Sequence, residues 1–291
     1  MLTISEPQVS ITEPQISISD PQAPPGQALR LNGKPRTAAA PTAGALVAKG
    51  QLRSTEAVIL AGGKGLRLRP FTTLIPKPLV PIGEQYSVLE VVMRQLAAQG
   101  FTRATLTIGH LGQLVQAYAG DGSQWGIEIS YLAEQSPLGT MGPVLRALEG
   151  LPEHFVVMNA DVLTNLDFAD LLSAHVNSGA ALTVTTHLRE QRVEFGVLDV
   201  RDNHVRGFTE KPTLTYLVNM GIYAVSRQAL ERYTPGLPYG FDELICDLIE
   251  QGDHPATYEF DGYWLDIGRP DDYDQANREF EVLKMELIPG D

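Results

Sequence analysis

Apolar and polar positions follow one another along most of the chain in the manner of an α/β protein. Short apolar runs lie at 57–60, 105–108, 155–159 and 181–186. Each run is four to six residues long, with polar or glycine-rich sequence near it, which is typical of buried strands rather than of helices. The spacing therefore predicts a series of strands separated by room for a helix or a loop.

Helices are predicted in several of the intervening segments. Ser87 precedes an apolar periodic stretch and is followed three residues later by Glu90, which is the pattern of a capping box at a helix start. A short helix is predicted from Leu111, another over 168–176, and an amphipathic helix from Pro270 to near the end of the chain.

Two further strand-like segments, FGVLDV (195–200) and LVNMGIYAV (217–225), lie close together in the sequence. Strands separated by so few residues favour some antiparallel pairing, whereas the earlier strand–helix alternation favours parallel pairing. We interpret residues 55–291 as a single α/β domain with a mixed, mainly parallel sheet.

The first 54 residues have a different composition. They hold seven prolines and no aromatic residue, so residues 1–54 cannot build a hydrophobic core. A degenerate seven-residue repeat starts at Ile4, Ile11 and Ile18, but the proline in each unit removes a helical hydrogen bond and disfavours a coiled coil. This tail is predicted to be disordered, as a passive leader or as a docking segment.

Charge and composition exclude several classes of function. The formal net charge is -13, which disfavours binding to nucleic acid through bulk electrostatics. The single cysteine, Cys246, cannot form an internal disulfide, and no cysteine–histidine spacing matches a structural zinc site. No apolar run approaches the roughly 18 residues of a membrane span, and no secretory signal is recognisable. A cytoplasmic location is expected.

Candidate chemistry is concentrated directly after the first predicted strand, in AGGKGLRLRPFTTLIPKPLVPIG (61–83). Glycines allow backbone N–H groups to approach an anion, and no acidic residue lies between Glu56 and Glu84. The pattern is neither a dinucleotide-binding fingerprint nor a P-loop. It predicts a phosphate site with four nearby cations: Lys64, Arg67, Arg69 and Lys77.

This segment resembles the sugar-1-phosphate nucleotidyltransferases, whose pattern is GGxGTRLxP followed by PKP. PLGTMG (137–142) and VMNAD (157–161) are similar to two further motifs of that family. The resemblance covers residues 55–283 and implies a Rossmann-like nucleotidyltransferase domain. The remaining motifs occur in the order and spacing of the family: FGV (195–197), FTEKP (208–212), VNMGIY (218–223) and YWLDIGRPDDY (263–273).

The resemblance implies transfer of a nucleoside monophosphate from a nucleoside triphosphate to a sugar 1-phosphate, with release of pyrophosphate. By this resemblance Arg67 and Lys77 are the catalytic residues, which hold the triphosphate and stabilise the charge developing at the α-phosphoryl group. Asp161 and Asp266 match the metal ligands of the family and are expected to bind Mg²⁺ through oxygen. His110 and His154 are assigned no catalytic role, since an ionised phosphate oxygen needs no general base.

Binding residues are carried over by the same resemblance. The nucleotide is expected to contact a set of largely backbone groups in the glycine segment and in the PLGTMG region, and the sugar phosphate a set of later residues. The nucleotide set is Leu60, Ala61, Gly62, Gly63, Gly65, Glu134, Gly139 and Thr140. The sugar-phosphate set is Gly196, Glu210, Lys211 and Asn219.

PLGT with Glu134 upstream resembles guanylyltransferases, so GTP is the favoured nucleotide, with dTTP, UTP and CTP left open. The acceptor is a sugar 1-phosphate or a sugar-like cyclitol phosphate. No nucleic-acid or membrane partner is expected, and a homo-oligomer is compatible with the sequence. Two other functions are weighed: a non-catalytic nucleotide-sugar-binding regulatory homologue, and a glycosyltransferase, whose DxD motif occurs only at 272–274 in a predicted helix.

Overall fold

The computed structural model describes residues 56–134 and 136–288. The predicted disordered tail, residues 1–54, lies outside the described residues. Within the described part, residues 190–216 form one compact unit, termed the hairpin unit, and the other described residues form a second, termed the main unit.

The described residues form thirteen strands. Most have the alternating or fully buried pattern expected of sheet strands in an α/β protein. In chain order they are β1 (Glu56–Ala61), β2 (Pro81–Ile82), β3 (Tyr86–Ser87), β4 (Arg103–Ile108), β5 (Glu128–Ala133), β6 (His154–Asn159), β7 (Val162–Thr164), β8 (Leu182–Arg192), β9 (Val197–Arg201), β10 (His204–Thr209), β11 (Thr213–Ser226), β12 (Ala256–Glu259) and β13 (Trp264–Asp266).

In the same described ranges, seven α-helices lie between or after these strands. They are α1 (Val88–Ala98), α2 (Gly112–Ala119), α3 (Gly142–Ala147), α4 (Phe168–Ser178), α5 (Arg227–Leu230), α6 (Phe241–Glu250) and α7 (Pro270–Leu287). Among the described residues, no helix combines the length and the apolar character that crossing a bilayer requires.

The main sheet has seven strands in the order β12-β8-β11-β6-β1-β4-β5. β1 is parallel to both β4 and β6, β4 is parallel to β5, and β12 is parallel to β8. β11 is antiparallel to β6. The mixed, mainly parallel sheet predicted from the sequence is therefore confirmed.

Helices cover both faces of the sheet. Alternate residues of each central strand point to opposite faces, so each strand contributes to two hydrophobic cores. Ala57 and Ile59 of β1 belong to a core shared with α1, α2 and α4. Val58 belongs to a second core, on the other face, shared with α3 and α6. A third cluster packs α7 against α1 and the β7–β13 pair.

Helix α1 begins where the capping pattern predicts. The Ser87 hydroxyl accepts a hydrogen bond from the backbone N–H of Glu90 at 3.1 Å. The carboxylate of Glu90 is used differently from a full capping box, because it accepts hydrogen bonds from Arg94 and Tyr118. The start of the helix is confirmed, and only the serine half of the predicted box is formed.

The hairpin unit is built on the antiparallel pair β9–β10, in which Arg201 lies opposite His204. Asp202 and Asn203 connect the strands with φ of 50° and 60°. Two consecutive residues with positive φ are characteristic of a type I′ turn, which suits the twist of a two-stranded ribbon.

A buried histidine at the end of the main sheet gives the first testable prediction. His175 has no exposed surface and contacts the hydroxyls of Thr183 and Ser226 at 2.8 and 3.0 Å. Burial, with a smaller effect from nearby His154, lowers the pKa of His175 from 6.5 to about 4. The folded protein therefore binds this proton less readily than the unfolded chain does.

Stability from His175 is complete above pH 6.5 and is lost as the pH falls towards 4, by up to about 3 kcal/mol. Chemical denaturation at pH 7 and at pH 4.5 should show His175→Gln, which retains polar contacts, losing less stability on acidification than the wild type. Exposed His204 provides the matched control, His204→Gln, which should behave as the wild type does. Equal pH dependence in all three proteins would contradict the prediction.

Candidate active site

The carboxyl ends of three neighbouring parallel strands define the candidate site. β1, β4 and β6 end side by side, so the segments after Ala61, Ile108 and Asn159 meet at one edge of the sheet. A cavity of about 740 Å³ lies there, a volume in the range of small-molecule sites. Seven residues predicted from the sequence line it: Leu60, Gly62, Gly63, Glu134, Gly139, Thr140 and Asp161.

The loop after β1, termed the glycine loop, contains Gly62, Gly63 and Gly65, and the structural requirement for glycine differs among the three positions. Gly65 alone has a positive φ, of 58°. A Cβ at Gly62 would lie 2.8 Å from the Glu134 carboxylate, so this position requires close approach rather than unusual dihedral angles. A Cβ at Gly63 would meet no atom within 4 Å. Of these three positions, only Gly65 therefore has a backbone conformation that favours glycine.

Backbone hydrogen bonds hold the 137–142 loop. The N–H groups of Met141 and Gly142 both donate to the carbonyl oxygen of Tyr239, at 2.9 and 3.1 Å. Gly139 has φ of 74°, and a Cβ there would lie 2.5 Å from the same carbonyl oxygen. The Thr140 hydroxyl accepts a hydrogen bond from the N–H of Phe241. The loop is thus fixed against the start of α6.

Glu134 places a carboxylate on the wall of the cavity. One carboxylate oxygen accepts a hydrogen bond from the N–H of Leu138 at 3.1 Å, and the other faces Gly62. Burial raises the pKa of this carboxyl group, whereas the Leu138 hydrogen bond opposes that shift. A ligand that donates hydrogen bonds to Glu134 would offset its desolvation.

Two carboxylates and two cations form what we term the charged cluster: Arg67, Lys77, Asp161 and Asp266. Asp161 lies between β6 and β7, and Asp266 is the last residue of β13, which pairs with β7 so that Asp266 is opposite Val162. The N–H of Ile267 donates to the carbonyl oxygen of Asp161 at 3.0 Å. Backbone pairing thus brings together two acidic residues far apart in sequence.

Lys77 joins the two carboxylates. Its ammonium group donates a hydrogen bond to Oδ2 of Asp161 and lies 4.0 Å from Oδ1 of Asp266. Burial and the negative charge of Asp161 raise the pKa of the Asp266 carboxyl group, while the charges of Lys77 and Arg67 oppose the shift. The structure therefore brings the predicted catalytic and metal residues into one electrostatically linked group.

The donor set at Asp161 and Asp266 fits a hard divalent cation. Oδ1 of Asp161 is buried and has no hydrogen-bond partner among the described residues, which is costly unless a ligand satisfies it. Carboxylate oxygens are the ligands that Mg²⁺ prefers. No group of three histidine, cysteine or acidic side chains in the described part of the chain could enclose a metal, so phosphate oxygens and water would have to complete the coordination.

Asn219, which is predicted to bind the sugar phosphate, lies within β11. Its amide nitrogen donates to the Tyr223 hydroxyl at 2.8 Å, and its amide oxygen accepts from the N–H of Gly221 at 2.9 Å. The Tyr223 ring is stacked on Phe241 with a centroid separation of 3.9 Å. Asn219 is exposed. The two hydrogen bonds nevertheless fix the orientation of its side-chain amide.

Three predicted sugar-phosphate residues lie in the hairpin unit. Glu210 and Lys211 are exposed, and Lys211 has a positive φ of 44°, which is uncommon for a lysine. A Cβ at Gly196 would lie 2.5 Å from the Phe208 ring and 3.1 Å from the Glu210 carboxylate. Close packing inside the hairpin unit thus accounts for glycine at position 196. The sugar-binding roles of Gly196, Glu210 and Lys211 stay predictions.

Sequence reasoning missed several residues of the cavity wall. Lys64, predicted only as one of four cations near a phosphate site, lies on the wall. Ala61, which is predicted to contact the nucleotide, is buried within β1. The signal that could have found the others is their position after neighbouring parallel strands, as for Gly109 and Asn159. The wall residues outside the predicted nucleotide and metal sets are Lys64, Thr107, Gly109, His110, Ser136, Pro137 and Asn159.

Comparison with known proteins places this site in a family. The family model described as Nucleotidyl transferase matches residues 56–282. The chain belongs to the nucleotidyl transferase family. The matched residues include the cavity, the charged cluster and the hairpin unit.

Relatives of this chain are named for transfer of different nucleotides. Mannose-1-phosphate guanyltransferase of Schizosaccharomyces pombe is 33% identical over 227 residues, which cover 75% of this chain and 62% of that protein. UTP–glucose-1-phosphate uridylyltransferase of Synechocystis is 32% identical over 259 residues, covering 81% and 66%. This nucleotidyl transferase chain thus spans about two-thirds, or slightly less, of the length of these relatives.

A solved structure gives the same fold. HddC from Yersinia pseudotuberculosis, in complex with GMP-PN, is 26% identical, with a TM-score of 0.62, and the match covers 78% of this chain and 99% of HddC. The α/β fold predicted from the sequence and the resemblance to sugar-phosphate nucleotidyltransferases are therefore confirmed.

Proposed function

We propose that this chain catalyses transfer of a nucleoside monophosphate from a nucleoside triphosphate to a sugar 1-phosphate. A bond forms between an oxygen of the sugar phosphate and the α-phosphorus, and the bond from the α-phosphorus to the bridging oxygen of pyrophosphate breaks. The observation that carries this proposal is the charged cluster at the rim of a cavity bordered by the glycine loop. Nucleotidyltransferase relatives at 32–33% identity support it.

Both substrates are anionic, so the chain must lower the repulsion between them. Arg67 and Lys77 are the residues we assign to the triphosphate, where fixed positive charge stabilises the negative charge that develops at the α-phosphoryl group. The attacking oxygen is already ionised, so no side chain has to remove a proton.

Asp161 and Asp266 are the residues we assign to Mg²⁺. When bound, Mg²⁺ would neutralise phosphate charge and help to orient the reacting groups. The unsatisfied Oδ1 of Asp161 supports this assignment. On the acceptor side, Glu210 and Asn219 are assigned to sugar hydroxyls and Lys211 to the 1-phosphate.

GTP is the nucleotide we favour, because the carboxylate of Glu134 lies on the cavity wall, where it can accept hydrogen bonds from a base. Guanine offers two adjacent donors, its ring N–H and its exocyclic amine, which match a carboxylate. Uracil and thymine offer one N–H flanked by carbonyl groups, which would match an amide better.

Glu134→Gln is expected to lower kcat/KM for GTP by about 10- to 100-fold while leaving or improving kcat/KM for UTP and dTTP, because a hydrogen bond to a charged group is lost. Initial rates with each nucleotide measure the ratio. Glu128→Gln makes the same change on an exposed position of β5 and should leave the ratio unaltered. An unchanged ratio in Glu134→Gln would remove this residue from base recognition.

The proposed activity is tested with the full chain, Mg²⁺ and inorganic pyrophosphatase. GTP, dTTP, UTP, CTP and ATP are each combined with hexose, aminosugar and heptose 1-phosphates, and phosphate release is measured. A strong signal dependent on both substrates, highest with GTP, is the expected result. Silence across all combinations, together with tight binding of a nucleotide sugar, would instead favour a regulatory homologue.

A further inference from the structure

The ammonium group of Lys77 lies between the two carboxylates assigned to the divalent cation. It is hydrogen-bonded to Oδ2 of Asp161 and 4.0 Å from Oδ1 of Asp266. A lysine assigned to the triphosphate therefore contacts the two residues assigned to the metal.

We propose that Lys77 is a resident counter-ion for Asp161 and Asp266, which competes with the divalent cation and leaves Asp161 when that cation binds. The inference rests on the proposed metal role of the two aspartates. It adds a regulatory step to the same site: the ammonium becomes available to phosphate only after a divalent cation has replaced it.

Charge balance supports this role. The side chain of Lys77 is only 12% exposed and that of Asp161 only 21% exposed. Two partly buried carboxylates side by side repel each other, and each loses hydration, unless a cation compensates them. Lys77 supplies that charge, while Oδ1 of Asp161 stays free of hydrogen-bond partners among the described residues.

The local backbone allows the side chain to move while its base stays fixed. Lys77 is flanked by buried Pro76 and Pro78, and its carbonyl oxygen accepts a hydrogen bond from the N–H of Val80 at 3.1 Å. A Cβ at Gly65 would lie 3.3 Å from the Cβ of Lys77, so the stem of the lysine starts beside the glycine loop. Its four-carbon chain can therefore direct the ammonium to the carboxylates or towards an anion on the loop.

Lys64 offers a matched comparison, because it belongs to the glycine loop after β1 and lines the cavity. No carboxylate of the described residues lies within ion-pair distance of it. Lys64→Met removes one positive charge from the neighbourhood without removing the contact that Lys77 makes. Comparing the two variants separates direct competition from a general change in electrostatic potential.

The test is a titration of the full chain with Mn²⁺ in the absence of substrates. Electron paramagnetic resonance measures the concentration of free Mn²⁺ and so gives the dissociation constant. Lys77→Met is expected to bind Mn²⁺ about tenfold more tightly than the wild type, or more, because the competing cation is gone. Lys64→Met should stay within about twofold of the wild type. Adding Asp161→Asn to Lys77→Met should abolish the gain. Equal or weaker binding by Lys77→Met would overturn the proposal.

Thermal unfolding gives a second readout. In chelator, Lys77→Met should melt at a lower temperature than the wild type, and Mn²⁺ should raise its Tm by more than it raises the wild-type Tm. If Lys77→Met does not fold, Lys77→Gln serves in both measurements. Wild-type protein that binds no Mn²⁺ even with GTP would refute the metal assignment itself. Binding with GTP, but no gain in either Lys77 variant, would refute this inference alone.

Discussion

Lys77→Met is expected to lower kcat for nucleotidyl transfer by about 10²-fold or more, since a preorganised positive charge at the developing phosphoryl charge is lost. The same variant is expected to bind Mn²⁺ more tightly. Weaker catalysis combined with stronger metal binding is difficult to explain by misfolding, which would weaken both. Single-turnover rates at saturating substrates, compared with the wild type, measure the first effect.

Lys64→Met is the control for that prediction. It removes the same charge from the segment between β1 and β2 but leaves the contacts of Lys77 with Asp161 and Asp266 in place. We expect its kcat to fall by less than about tenfold, since the charge developing at the α-phosphoryl group is assigned to Arg67 and Lys77 rather than to Lys64. Equal losses in the two variants would show that overall positive potential, rather than the position of Lys77, accounts for the effect.

Asp161→Asn is expected to have the largest effect of all, a loss of about 10³-fold in kcat/KM, because the substitution removes a metal ligand and the partner of Lys77 together. Steady-state rates across a Mg²⁺ titration measure it. The dependence on Mg²⁺ should also shift to higher concentrations, since fewer protein oxygens would hold the ion.

Asp274→Asn, on an exposed position of α7, makes the same chemical change away from the site and should retain full activity. Near wild-type kcat/KM in Asp161→Asn, with an unaltered Mg²⁺ dependence, would contradict the metal assignment. A loss without any shift in Mg²⁺ dependence would assign Asp161 to holding Lys77 rather than the ion.

Local sequence patterns predict most of the elements because hydrophobic period and capping are local properties. The strands at 57–60, 105–108 and 155–159 lie within β1, β4 and β6, and Ser87 caps α1 as its spacing indicates. The carboxylate of Glu90 departs from the pattern because Arg94 and Tyr118 compete for it. The competing partner from α2 is 28 residues away in sequence.

Contacts between distant segments could not be predicted in the same way. The reason for glycine at position 62 is Glu134, more than seventy residues later, and Lys77 and Asp161 are 84 residues apart. Residue types at these positions identified the candidates through a family resemblance. Which atoms meet depends on how β6 pairs with β1 and how β7 pairs with β13, and these pairings join segments far apart in sequence.

In the reaction we propose, nucleophilic attack occurs at the α-phosphorus of a nucleoside triphosphate. The most direct measurement follows phosphorus label from α-labelled and γ-labelled GTP, in separate reactions with the sugar 1-phosphate that gives the highest rate. We expect α-label to appear in a nucleotide sugar and γ-label in pyrophosphate, in equal amounts. Release of γ-label as inorganic phosphate, with α-label left in GDP, would contradict the claim.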